Sequence, residues 1–270
     1  MPARERPWRP LERGAIVAAM GRGAKLTVEV LEAVDSTNTE LSRRAARQDI
    51  HRQVLAAEWQ TAGRGRRGRT WTAIRGGSLT FSLGWRFKRG AGRLSGMTLA
   101  VGLAVARALG ASGFAGIRLK WPNDIVHERA KLGGILVELS GEASGPATAI
   151  IGVGINVKLP LATRRGIEQV VTDLASIGAR RSIDRNRLLA RILRELAATL
   201  EAFAAEGFAP MRAAWQRRHA LQRRPVHIQL PGGGSARGAV VGVDADGALV
   251  LASGRRRLRF SSGEVSLVRA

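Results

Sequence analysis

The sequence predicts an α+β fold that ends in a small all-β unit. Three observations predict it. Up to about residue 222, short apolar strands are interspersed with helical segments. At Arg223-Arg224-Pro225 the composition changes and no helical period follows. From Val226 onward the chain reads as consecutive hairpins, with turn residues at Pro231-Gly232-Gly233-Gly234 and at Asp246-Gly247. These divisions give three regions: a basic, Pro/Gly-bearing extension over residues 1–25, a main domain over 26–222, and a C-terminal domain over 223–270 of the size of an SH3-like β-barrel.

Within the extension, Leu11 to Met20 is a short helix candidate. Leu26 to Val34 alternates like a strand. A helix then starts at Thr37, with Thr37-Asn38-Thr39-Glu40 as its capping box, and runs to about Arg47. Val54 to Trp59 and Ser78 to Arg86 are strands. Leu94 to Leu109 is apolar nearly all round, as a buried helix is. Short strands follow at Gly116 to Leu119, Ile125 to His127, Gly133 to Leu139 and Ala147 to Val153. Residues 158–183 read as a long loop, then Arg185 to Glu206 and Ala209 to Leu221 as amphipathic helices. The final strands are Val226 to Leu230, Ala236 to Val243, Ala248 to Ala252, Arg256 to Phe260 and Glu264 to Arg269, and Asp246-Gly247 reads as a two-residue hairpin turn.

Composition narrows the function classes. There is no cysteine, which excludes disulfides, thiolate metal sites and a cysteine nucleophile. No stretch reaches 18 uninterrupted apolar residues and the first ten residues lack a signal-peptide core, so a soluble, cytoplasmic protein is expected. The net charge of +23 comes from 39 arginines against five lysines, spread along the chain. That spread argues against a dedicated nucleic-acid face, while still steering acidic partners.

The richest segment is Gln60-Thr61-Ala62-Gly63-Arg64-Gly65-Arg66-Arg67-Gly68-Arg69-Thr70-Trp71. Glycine lets backbone approach a ligand, and arginine offers a fixed fork of donors to carboxylate or phosphate. The segment reads as a flexible cationic flap. Gly63, Gly65 and Gly68 fit the dinucleotide spacing, but no helix opens after them and no acid follows before Arg93. A phosphate-binding Walker loop fails too, because Arg69 stands where lysine is required. A solvated or RNA-binding arginine loop remains open on this segment alone.

Four further clusters carry chemistry. Lys120-Trp121-Pro122-Asn123-Asp124 is a rigid bend presenting an ammonium, an amide and a carboxylate, or else a solvated turn. Lys131-Leu132-Gly133-Gly134-Ile135-Leu136-Val137-Glu138 puts a lysine before bare backbone, or else snorkels it. Gly152-Val153-Gly154-Ile155-Asn156 leaves one strand face bare so that something flat packs there, or is a plain buried strand. Asp35-Ser36-Thr37-Asn38 reads on its own as helix capping.

Taken together and in order, these five clusters closely resemble the biotin protein ligases over residues 28–270, with a C-terminal Arg-Pro-Val…Gly-Glu-Val-Ser-Leu match as well. The resemblance implies a mixed-sheet catalytic domain with an SH3-like C-terminal domain. It implies an ATP-dependent enzyme that makes biotinyl-5'-AMP and transfers biotin to a lysine of a biotin carboxyl carrier protein, an acetyl-CoA carboxylase subunit. A lipoate or octanoate ligase or transferase of the same fold is the alternative. The implied biotin-binding residues are Ser36, Thr37, Asn38, Gln60, Gly63, Arg64, Gly65, Arg66, Lys131, Gly133 and Gly134. For ATP they are Arg64, Arg66, Arg67, Trp71, Lys120, Asn123, Lys131 and Asn156, with Trp71 and Asn156 on the adenine side. Lys131, Arg66 and Asp124 are the implied catalytic residues. No dedicated metal site is expected; Mg²⁺ would be held mainly by ATP phosphates. About 25 residues before the core leave no room for a DNA-binding domain, so a monofunctional ligase is expected, without specific nucleic-acid or membrane partners, as monomer or homodimer.

Overall fold

A computed structural model describes residues 8–21, 23–88, 90–142, 144–178 and 182–268. The first half of the main domain runs α1 (Arg13–Met20), β1 (Thr27–Val34), α2 (Thr37–Ala45), β2 (Gln53–Gln60), β3 (Ser78–Phe87) and α3 (Met97–Ala111). It continues with β4 (Ile117–Lys120), β5 (Asp124–His127), β6 (Ala130–Gly141), β7 (Ala147–Asn156), α4 (Leu161–Arg165), α5 (Leu174–Ile177), α6 (Arg185–Glu206) and α7 (Arg212–Gln216). The C-terminal strands are β8 (Pro225–Gln229), β9 (Ser235–Val243), β10 (Leu249–Ser253), β11 (Arg256–Phe260) and β12 (Glu264–Leu267).

The main sheet has seven strands in the order β1-β2-β3-β7-β6-β5-β4. The β1–β2 pair is parallel and the others are antiparallel, so the sheet is mixed as expected. Strand β3 shows how the sequence sorts its two faces. Leu79, Phe81 and Leu83 enter the core, while Ser78, Thr80 and Ser82 are also buried but face the other way. Helices α3 and α6 pack against each other, with α1 against α6, and cover the apolar face. Helix α2 packs on β2, β3 and β7 from the opposite side. The uncovered remainder of that second face, polar and rich in glycine, holds the site.

Several expectations are corrected. Ser36 caps α2, its Oγ accepting from Thr39 N, so the cap stands one residue before Thr37 and Glu40 instead pairs with Arg43 and Arg44. The helix expected over Ala209 to Leu221 shortens to α7 after a 3-10 turn at Ala209–Met211. The loop 158–183 contains α4 and α5 in its described part. The Asp246-Gly247 turn is larger than two residues. Asp244 N donates to Ala248 O and Gly247 takes φ +84°, which is the three-residue loop with a left-handed glycine. Arg269, the expected end of the last strand, lies outside the described residues, as do residues 1–7 of the extension.

The described part of the extension is bolted to the main domain. Arg185 and Glu58, 3% and 7% exposed at their side chains, form a two-bond ion pair at 2.8 Å. The backbone of residues 9–11 completes this pair: Arg185 donates to Arg9 O at 2.8 Å, and Glu58 accepts from Leu11 N. Asn186 accepts from Glu12 N and donates to Pro10 O. Leu11, Ile16 and Met20 join the core.

The C-terminal strands form a five-stranded antiparallel sheet in the order β11-β10-β9-β8-β12; β8 to β11 follow the expected hairpins, whereas β12 returns to pair with β8 rather than with β11. Trp121 Nε1 donates to Gly247 O at 3.0 Å, tying the bend between β4 and β5 to this sheet. The Trp121–Pro122 peptide bond is cis.

Candidate active site

A cleft opens on the polar face of the main sheet, between the flap, the bend over 121–124 and the segment 263–265 of the C-terminal sheet. Its inner end is a ring of buried polar groups. Thr37 donates to Gln60 Oε1 through both N (2.8 Å) and Oγ1 (3.1 Å). These bonds fix the Gln60 amide and leave its Nε2 as a donor. Ser82 Oγ lies 2.7 Å from Thr37 Oγ1 and 2.6 Å from Asn38 Oδ1. Asn38 Nδ2 donates to Glu138 Oε2 at 2.8 Å.

The expected bare face on β7 is real, but the chain's own side chains occupy it. A Cβ on Gly152 would collide with Asn38 Oδ1, and one on Gly154 with the Trp71 ring. Trp71 also lies over Gly134. Its indole Nε1 is buried without a hydrogen-bond partner among the described residues.

The flap is an ordered miniature hairpin. Arg64 bridges Thr70, Gly65 N donates to Arg69 O at 2.7 Å, and Trp71 N donates to Gly63 O at 2.9 Å. Its tip is a 3-10 turn over Arg66–Gly68 in which Arg67 (φ 57°) and Gly68 (φ 72°) are left-handed. Two acids hold the arginines. Arg64 pairs with Glu138 at 2.8 Å, and Arg67 (3.7 Å) and Arg69 pair with Glu264 of β12. Burial pushes the Glu264 carboxyl up, but the Arg69 hydrogen bond and the charges of Arg69, Arg67 and Lys120 hold it below the usual range. Arg66 is the exception. It is half-buried and its contact is the neutral Asn123 Oδ1 at 3.3 Å. Burial, then the neighbouring Arg67 charge, depresses its pKa despite Asp124 and Glu264.

Beyond the flap, Lys131 Nζ meets Asp124 Oδ1 at 2.8 Å, both side chains 17% exposed. Asn123 Nδ2 donates to Ile135 O, so the bend over 121–124 is braced on β6. Lys120 lines the cleft and makes no ion pair among the described residues.

The cleft thus brings together Ser36, Thr37, Asn38, Gln60, Arg64, Gly65, Arg66, Arg67, Trp71, Lys120, Asn123, Asp124, Lys131 and Gly134. Gly63, Gly133 and Asn156 do not line it. Gly63 serves the base of the flap hairpin, and a Cβ on Gly133 would point at Gly154 O within the sheet at 2.6 Å. Asn156 donates to Thr172 O at 3.0 Å and more weakly to Lys131 O, bracing the segment beside Lys131. Sequence reasoning missed Thr80, Ser82, Glu138 and Glu264. The alternation of Ser78, Thr80 and Ser82 with Leu79, Phe81 and Leu83 marks β3 as having a polar face. Nothing local marks Glu264, because its partners lie almost 200 residues away at Arg69. No group of three or more His, Asp or Glu side chains that could hold a metal ion occurs among the described residues. No helix among them is long and apolar enough to cross a membrane.

Residues 30–156 match the model of the Biotin/lipoate A/B protein ligase family, and residues 224–268 that of the Biotin protein ligase C terminal domain. The chain is 38% identical over 241 residues to the bifunctional ligase/repressor BirA of Escherichia coli (strain K12), covering 89% of this chain and 74% of that protein. It is 36% identical over 244 residues to the biotin--[acetyl-CoA-carboxylase] ligase of Mycobacterium tuberculosis, covering 88% of each. Among solved structures, the biotin protein ligase from Aquifex aeolicus in complex with biotin and ATP superposes with a TM-score of 0.74 at 28% identity, covering 90% of this chain and 99% of that one. With both of its parts matched and this cleft at their junction, the chain belongs to the biotin protein ligase family.

Proposed function

We propose that the cleft condenses biotin with ATP to biotinyl-5'-AMP and passes the biotinyl group to a lysine of a biotin carboxyl carrier protein. The reaction takes place in the cytoplasm. One observation carries the reading: the buried polar ring around Asn38 and Gln60 shares a single cleft with Arg66 and the Lys131–Asp124 pair. A neutral, hydrogen-bonding ring and two anions are the substrates such a cleft fits.

The ureido ring of biotin presents one carbonyl and two N–H groups. Gln60 Nε2 and the Ser36 hydroxyl are donors for the carbonyl, and Asn38 Oδ1 is an acceptor for an N–H. The carboxylate oxygen of biotin attacks the α-phosphorus of ATP, and the bond to pyrophosphate breaks. Both partners are anions and charge builds on phosphorus, so fixed cations lower the barrier. Arg66 supplies a cation that makes no ion pair among the described residues. Lys131 leaves Asp124 for the carboxylate and then the phosphate. This exchange frees the Asp124 carboxylate to take the proton from the acceptor amine as it attacks the anhydride and AMP leaves. Trp71, over Gly134 and Gly154, offers a flat surface for adenine. Asn156 acts from behind by holding the segment beside Lys131 rather than by touching the base. Mg²⁺ accompanies ATP on its phosphates. Asp124 and Glu264, carboxylates lining the cleft among the described residues, are both paired with cations in this structure.

Pyrophosphate release with ATP and biotin, against lipoate as control, tests the reading. Release with biotin alone is expected; release with lipoate alone, or with neither, overturns it.

A further inference from the structure

Glu138 stands outside the roles assigned so far, yet it touches both the polar ring and the flap. Its Oε2 accepts from Asn38 Nδ2 at 2.8 Å, and its Oε1 accepts from Arg64 Nη2 at 2.8 Å. Residues 134, 136 and 138 of β6 share one face; Gly134 and Leu136 line the cleft, and Glu138 follows just beyond that lining. Asn38 itself is 3% exposed and has no solvent to satisfy either end of its amide.

An asparagine amide has one accepting and one donating end, and the two are nearly equal in shape. Which end faces a ligand is therefore decided by its neighbours. Ser82 does not decide it, because a hydroxyl both donates and accepts. Leu136 O, at 3.4 Å, is a weak influence. An ionised carboxylate only accepts, so Glu138 draws the NH₂ end to itself and turns Oδ1 over Gly152, into the cleft.

We propose that Glu138 is a positioning residue that sets the specificity of the site for a ring N–H donor by fixing the Asn38 amide. The proposal rests on the biotin reading above. The same carboxylate holds Arg64, so the flap closes onto a pocket whose amide is already oriented. The Arg64–Glu138 pair is half-exposed and thus of small stabilising value, which suits a contact that opens and closes.

The test compares Glu138→Gln, Arg64→Gln and the double variant Glu138→Gln/Asn38→Asp by biotin-dependent pyrophosphate release. Glutamine keeps the shape of Glu138 but accepts either orientation of Asn38. Its KM for biotin is expected to rise about tenfold or more, with the KM for ATP and the melting temperature unchanged. In the double variant the charge moves from position 138 to position 38. An aspartate has two accepting oxygens, and the new amide at position 138 donates to one of them, so the other faces the ligand. Its KM for biotin is expected to return to within about threefold of the parent. An unchanged KM in Glu138→Gln overturns the proposal. So does a double variant that fails to recover, or Arg64→Gln reproducing the whole defect, which would assign the effect to the flap. Absence of biotin-dependent release in the parent protein would instead overturn the functional reading itself.

Discussion

Arg66 and Arg69 sit three residues apart in one flap, yet the structure predicts opposite consequences for removing them. Arg69 is 54% exposed and its charge is matched by Glu264. Arg66 is half-buried, and among the described residues its hydrogen-bond partner is an amide oxygen. A unit charge about 4 Å from a developing negative charge, at an effective dielectric of about 20, contributes about 4 kcal/mol. That corresponds to roughly 10³ in rate, at the upper end of about 10²–10³ for losing one preorganised donor. Arg66→Ala is therefore expected to lower biotin-dependent pyrophosphate release by about 10²–10³, measured at saturating ATP and biotin. Its melting temperature should hold, because a single 3.3 Å hydrogen bond is lost and a half-buried charge disfavoured by burial and by Arg67 is relieved. Arg69→Ala should cost less than about tenfold, as expected of an exposed, already neutralised pair. Equal losses in the two variants, or an Arg66→Ala enzyme within about fivefold of the parent, would refute the argument that charge neutralisation sorts the flap arginines.

Glu58→Ala leaves Arg185 buried without its partner and should destabilise the protein by about 3–5 kcal/mol; calorimetry should show a melting temperature roughly 6–20 °C lower. His219 is buried against Trp215, and burial pushes its pKa from 6.5 down to about 4. Unfolding then takes up a proton between those values, so stability is complete above pH 6.5 and falls by about 3 kcal/mol as the pH drops to about 4. Denaturant titrations across that range should show the loss, and His219→Leu should flatten it. Gly154→Ala puts a methyl group into the Trp71 ring and should raise the KM for ATP at least about tenfold while the protein still folds, as steady-state kinetics and thermal melting will show.

What the sequence made legible follows the range of the forces involved. Helix α6 lies over Arg185–Glu206 as read, because Asp184 caps it locally through Asn186 N and Arg187 N. Helix α3 was legible because its all-round apolar composition has one stable location, the core. The cap of α2 was misplaced by one residue because Ser36 and Thr37 are chemically alike, and only the bond to Thr39 N separates them. The alternate glycines of β7 mark a packing surface in the sequence, but which partner packs there depends on Asn38 and Trp71 arriving from distant segments. The flap's cations were plain in the sequence, whereas their division into neutralised and free depends on Glu138 and Glu264. A carboxylate on a strand carries no local sign that an arginine will reach it.

Glu264 also bears on how such chains can be recombined. It belongs to the C-terminal sheet, yet its partners Arg67 and Arg69 sit on the flap between β2 and β3. The boundary near residue 223 looks like a natural splice point for building chimaeras between relatives. A donor segment without an acid at this position would fold as a sheet and still leave two arginines repelling each other at the mouth of the cleft. Compatibility between halves thus depends on these three side chains as well as on the Trp121–Gly247 tie, and a chimaera that exchanges the halves has to carry both.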